Sequence, residues 1–248
     1  MFLERIQTVG TRIGDREEYP WSLPLACDLD LRFERPITFF VGENGSGKST
    51  VLEAIAAACG LPVAGGGAQE LADRRGQTSA LGEAVRPTWG LKRPRDRYFF
   101  KAQTLHGFSE LLDERARDPD FEDDPYAAYG GATLTTRSHG EAFLEVISGR
   151  LGTGLYLFDE PEAALSPQRQ LSLLLLLDQM AKGGAQCIIA THAPIVLTMP
   201  NSTILTFDSE SIVPTAFEDL DHVTITRRML LNPEDFWRRQ AAQPEEDY

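Results

Sequence analysis

The 248-residue sequence is short of cysteine, of basic charge and of long apolar runs, and each shortage closes off a class of protein. Its three cysteines, Cys27, Cys59 and Cys187, are odd in number, widely spaced and without a CxxC pair. That usage gives neither a disulfide framework nor a zinc site and fits a reducing cytoplasm. Lys and Arg number 24 against 37 Asp and Glu, a net charge of −13, which opposes non-specific attraction to nucleic acid or to an anionic membrane. The leucine run 173–177, like every other apolar run, falls far below the roughly 20 residues that cross a bilayer, so no direct membrane insertion is expected. The start carries Glu4 and Arg5 in a mixed segment, unlike a signal peptide, and no internal repeat is visible.

What remains is a globular composition, 42% hydrophobic and 25% charged, in a length that suits one large domain. Residues 37–41 are short, apolar and β-branched or aromatic, and end at Gly42, a strand feeding a loop. A helix follows at 49–58. Helices are expected again at 140–150, 167–180 and 232–240, where Pro233 suits a first turn. Strands are expected at 155–158, 186–190, 202–207 and 222–226. Alternating strands and helices imply an α/β domain with a mostly parallel sheet. Between about 60 and 137 the texture changes: Gly65 to Gly67 reads as a flexible break, prolines recur, and 105–117 has helical spacing. This stretch reads as an inserted, partly helical subdomain within the single domain 1–248. It holds a basic run at 86–101 and an acidic run at 113–124, best read as solvated surface. The acidic tail 244–248 is expected to fray.

Residues 42–50 read GENGSGKST, which fits GxxxxGK[ST] between a strand and a helix. Gly42, Gly45 and Gly47 let the backbone curl so that successive N–H groups, through Glu43, Asn44, Ser46 and Thr50, face one anion. Lys48 brings charge to the β and γ phosphates of a nucleotide, and Ser49 would ligate magnesium. Residues 155–160, LYLFDE, place two acids where a buried strand emerges. A carboxylate there needs a partner, and magnesium held through Asp159 supplies one, leaving Glu160 to polarise an attacking water.

The run DEPEAALSP at 159–167 resembles the Walker B end and D-loop of ATP-binding-cassette (ABC) ATPases, and ATHAP at 190–194 resembles their switch-histidine segment. The resemblance implies a P-loop NTPase fold of the ABC type with N-terminal β-strands and a helical insert, and a role for His192 at the γ phosphate. By the same resemblance, SHGE at 138–141 stands where the family's signature lies, so Ser138, His139, Gly140 and Glu141 would serve the ATP of a second copy. Arg137 and His139 depart from the family's usual leucine and glycine, and Glu141 is closer to the SMC and Rad50-like branch. Ser138 and Glu141 also form a capping-box pattern. Gln103, in YFFKAQ, occupies the place of the Q-loop glutamine that contacts magnesium and the attacking water. Tyr19 and Trp21 are candidates to stack on adenine, or to pack in the core.

The expectation is an ATPase with ATP and Mg2+ as cofactors, closing as a head-to-tail homodimer that drives or gates an unidentified protein partner. One alternative is the nucleotide-binding subunit of an ABC transporter, bound to a separate membrane protein. Another is a Rad50-like nucleic-acid maintenance or defence ATPase, for which Arg93 and Arg95 offer a local basic route. The roughly 87 residues between Thr50 and Ser138 are too few for that branch's long coiled coil.

Overall fold

The computed structural model describes residues 1–67, 78–102, 139–149, 152–163, 165–208 and 210–242, with the backbone alone at 139–142 and 242. In chain order, β1 (Leu3–Thr8) leads to a one-turn helix α1 (Pro24–Cys27), then β2 (Asp30–Arg32) and β3 (Ile37–Gly42). Helix α2 (Lys48–Ala58) is followed by β4 (Gly66–Gly67), α3 (Ala80–Ala84), β5 (Val85–Trp89) and β6 (Asp96–Lys101). The second half holds α4 (His139–Ser148), β7 (Gly154–Asp159), α5 (Pro167–Lys182), β8 (Gln186–Ala190), β9 (Ser202–Phe207) and β10 (Ile212–Pro214). It closes with α6 (Asp221–Leu231) and α7 (Pro233–Ala242).

The main sheet has the order β10-β9-β3-β8-β7-β6-β4, parallel throughout its centre and antiparallel at both edges. Its central strands are apolar along most of their length because both faces are covered. Phe39, Val41, Phe100, Phe158 and Ile189 point to a layer formed by α4 and α5. Their neighbours Phe40, Phe99, Leu157, Ile188 and Ala190 point to α2 and to a three-stranded antiparallel sheet, β2-β1-β5. The side-chain amide of Gln186, only 2% exposed, joins the sheets by accepting from Phe2 N and Leu3 N and donating to the Leu3 carbonyl. Satisfying all three backbone groups is what makes so deep a polar side chain tolerable.

Two sequence expectations change. The segment expected as a strand at 222–226 lies within α6. Its β-branched residues suggest extended chain, but Leu220 and Val223, three apart, both bury in the core beneath the main sheet, and that packing outweighs a weak local preference. The texture change after Gly60 does not mark departure from the core either. Strands β4 and β6 belong to the main sheet and β5 to the smaller one. Gly65 to Gly67, expected as a flexible break, ends in a strand paired with Tyr98 and Phe99. The expected helix at 105–117 and the acidic run at 113–124 lie outside the described residues.

Candidate functional site

Parallel order brings the carboxyl ends of β3, β8 and β7 side by side, since Phe40 pairs with Ala190 and Ala190 with Asp159. Three short segments distant in sequence thereby meet at one edge. After β3 the chain turns through Gly45 and Gly47, at φ 84° and 92°, a region that costs a side-chain-bearing residue. Gly42 is required for space as well: a Cβ there would lie 2.2 Å from the Phe207 carbonyl oxygen of the neighbouring strand.

Lys48 opens α2 and folds back over this loop, its Nζ donating to the carbonyls of Gly42 and Glu43 at 2.7 Å each. Burial depresses its pKa, while Glu160 and Asp159 work in the opposite direction. The ammonium is thus held in a partly dry site with its charge aimed at the loop's concave side. Ser49 Oγ donates to Asp159 Oδ1 at 3.0 Å. Burial raises the Asp159 carboxyl's pKa, opposed chiefly by Lys101, whose Nζ is 3.8 Å from Oδ2 and 2.6 Å from Glu53 Oε1. A hydroxyl and a buried carboxylate side by side are the hard oxygen pair that magnesium takes from proteins, its shell being completed by phosphate and water. The residues present therefore fit that ion.

Glu160, the next residue, has φ 50°, uncommon for anything but glycine. Its N–H is tied to the Ala190 carbonyl at 2.9 Å, so the bend continues the pairing of β7 with β8. Glu160 Oε1 lies 4.0 Å from His192 Nε2. Burial first, then Lys48, lowers the pKa of His192, while Glu160 raises it. The histidine's backbone N–H donates to Glu162 Oε1 at 2.8 Å. A cleft of about 650 Å³ bounded by Glu43, Asn44, Glu160, Glu162, Ala163 and His192 opens over this group.

The structure thus brings together the loop from Gly42 to Thr50, Asp159, Glu160 and His192. Gln103 and Ser138 lie outside the described residues. His139, Gly140 and Glu141 begin α4, as a backbone only. Trp21 is in the core, packed on Gly14. Tyr19 is 69% exposed with its hydroxyl 2.5 Å from Thr50 Oγ1. Lys101 and Glu162 were missed by sequence reasoning. Lys101 sat within a basic run read as surface, yet it ends β6 opposite Asp159, and Arg97 of the same run donates to the Cys59 carbonyl. The clue to Glu162 was available in DEPE, where a third acid follows the pair by two residues.

Residues 23–81, which carry the loop, match a family described as "AAA domain", and residues 142–198, which carry the acid pair and His192, match "AAA domain, putative AbiEii toxin, Type IV TA system". No curated protein matches the chain. Among solved structures, an ATP-binding cassette of an ABC transporter in its ADP conformation aligns over 98% of this chain and 100% of its own, at 15% identity and a TM-score of 0.52. A second structure of that cassette covers 96% and 99%, at 15% identity and 0.51. An Smc head bound to the C-winged helix domain of ScpA covers 88% and 99%, at 12% identity and 0.50. Among the described residues no helix is long and apolar enough to cross a membrane.

Proposed function

We propose that this chain, a P-loop ATPase domain with the fold of ABC cassettes and SMC heads, hydrolyses ATP to ADP and phosphate in a head-to-tail dimer of two copies. One observation carries the proposal: a lysine-bearing anion loop, a hydroxyl–carboxylate pair and a carboxylate–imidazole pair converge on the ends of three adjacent strands. Phosphoryl transfer asks the protein mainly to position groups and to neutralise developing charge, and each part has a place in that task.

The loop amides and Lys48 would hold the β and γ phosphates, with Lys48 exchanging its two carbonyl partners for phosphate oxygens. Ser49 and Asp159 would hold magnesium, which supplies charge neutralisation between the phosphates. Lys101 favours the charged form of Asp159, against the burial that disfavours it. Glu160, whose carboxylate lies 4.0 Å from His192 Nε2, would accept a proton from the attacking water. His192, fixed through its backbone by Glu162, would orient that water and contact the γ phosphate. Ser138 to Glu141 of the second copy would close the site at the start of α4, where a helix N-terminus favours an anion. Closure on ATP and opening after hydrolysis would then drive or gate a protein partner, with product release or opening setting the rate.

The test compares steady-state phosphate release and ATP-dependent dimerisation for the wild type and Glu160→Gln. Removing a general base lowers turnover by about 10² to 10⁴, while ATP binding is retained and the dimer accumulates. Equal turnover in the two proteins would remove Glu160 from its assigned role.

A further inference from the structure

Four side chains from three elements form a ring at the hydroxyl–carboxylate pair. Ser49 and Glu53 are four residues apart in α2 and share one face of that helix. Asp159 and Lys101 are register partners at the ends of β7 and β6. Ser49 Oγ donates to Asp159 Oδ1 at 3.0 Å. Lys101 Nζ lies 3.8 Å from the other oxygen, Oδ2, and donates to Glu53 Oε1 at 2.6 Å. One ammonium thus serves two carboxylates, and it sits closer to the one on the helix.

The ring is poorly solvated, with the Lys101 and Asp159 side chains only 13% and 9% exposed. Carboxylates in such a place need a counter-charge. Burial is the main influence against the charge on Asp159, Glu160 and Glu53 add to it, and Lys101 is the chief influence in its favour. The same ammonium has a cost for metal binding. Magnesium and manganese take hard oxygen ligands, and two carboxylates with a hydroxyl are such a set. A positive charge already lodged among them repels a second cation. Among the described residues no three acidic, imidazole or thiol side chains gather into a metal site. The protein therefore gives a divalent ion little to hold unless phosphate oxygens join it.

We propose that Lys101 is a built-in counter-cation that keeps the metal site closed to free divalent ions until nucleotide is bound, and that Glu53 is the positioning residue that draws it back from Asp159. The proposal rests on the reading of Ser49 and Asp159 as metal ligands and adds an order of loading to it. Phosphate brings the ligands and the negative charge that let the site accept a divalent ion beside Lys101. Glu53 keeps the ammonium on the helix side, so that Asp159 stays available to that ion.

Manganese binding to the full-length chain, read from the loss of the free ion's paramagnetic resonance signal with and without ADP, tests both residues. The wild type binds Mn2+ with ADP and at least about tenfold more weakly without it. Lys101→Met, which keeps the length and removes the charge, gains about tenfold or more in nucleotide-free Mn2+ affinity, whereas Lys101→Arg does not. Adding Glu53→Gln to Lys101→Met abolishes the gain, because one of the two carboxylates is then gone. Glu53→Gln alone acts in the opposite sense: the ammonium turns to Asp159, and Mn2+ affinity in the presence of ADP falls about threefold to tenfold. A merely structural ion pair would not move metal affinity in opposite directions from its two ends. Nucleotide-free Mn2+ affinity in Lys101→Met equal to that of the wild type overturns the counter-cation. Unchanged Mn2+ affinity with ADP in Glu53→Gln overturns the positioning role, and this arm stands even should the Lys101 variants fail to fold. A wild type that binds no ADP overturns the ATPase reading itself, and ADP binding that Mn2+ does not strengthen overturns the metal assignment alone.

Discussion

The two walls of the nucleotide cleft are built by different means. One wall consists of the ends of β3, β7 and β8, strands with both faces buried, where Phe100 and Phe158 stack at 4.7 Å and 6° between planes. The other consists of the end of β9 and the start of α6, a helix that buries Val223 but leaves Ile225, Leu230 and Leu231 49%, 78% and 79% exposed. The first wall is held from both sides, so its side chains are placed to the accuracy that proton transfer and phosphate contact require. In the second, β9 is likewise covered on both faces, but α6 is held from one side and has fewer packing contacts to lose. The groups proposed for the chemistry sit on the rigid wall, and none of them sits on the softer helix.

Core truncations should expose that difference most plainly. Phe158→Ala removes a fully buried ring beneath the acid pair, and urea unfolding should show a loss of about 3–5 kcal/mol. Lys48→Ala acts on function at the same wall. It removes the loop's cation without disturbing the sheet, and ATP affinity should fall about a hundredfold, with the melting temperature of the nucleotide-free protein little changed. On the softer wall, Val223→Ala should cost roughly 1.5–2.5 kcal/mol. A loss there as large as that at Phe158 would show that the walls are equally supported.

The smallest effect is a dependence on pH. His192 and His222 both have folded-state pKa values below the ordinary 6.5, in each case mainly through burial. Below 6.5 the unfolded chain takes up protons that the folded chain resists, so this stability is present above pH 6.5 and is lost as pH falls through the depressed folded values. The melting temperature of the nucleotide-free protein should therefore drop from pH 7.5 to 5.5. The drop should be smaller in a His192→Gln, His222→Gln double variant. An identical slope in both would separate the two imidazoles from the acid side of the stability curve.

Much of the first wall is readable in the residues. GENGSGKST has a glycine wherever the backbone turns left-handed or meets a neighbouring strand, and LYLFDE announces a buried strand by its apolar run and the strand's exit by its acids. His192 needed the resemblance as well, because one histidine after a strand carries little information alone. The second wall announced nothing. His222 lies in a β-branched stretch read as extended, and its place at the cleft depends on Leu220 and Val223 finding the core from a helix. Lys101 was hidden differently, inside a run of basic residues whose other members sit at the surface or bond to backbone.

The sequence by itself determined the anion loop, the acid pair, the parallel α/β architecture and the residues that would do the chemistry. These follow from local rules: which residues tolerate a left-handed turn, which fill a doubly covered strand, and which charges need a counter-ion. Only the tertiary structure decided that β4, β5 and β6 belong to the sheets, that Lys101 supports Asp159, and that His222 and His192 border one cleft. Those pairings join segments far apart along the chain, and strand order and packing settle them through contacts that no local pattern encodes.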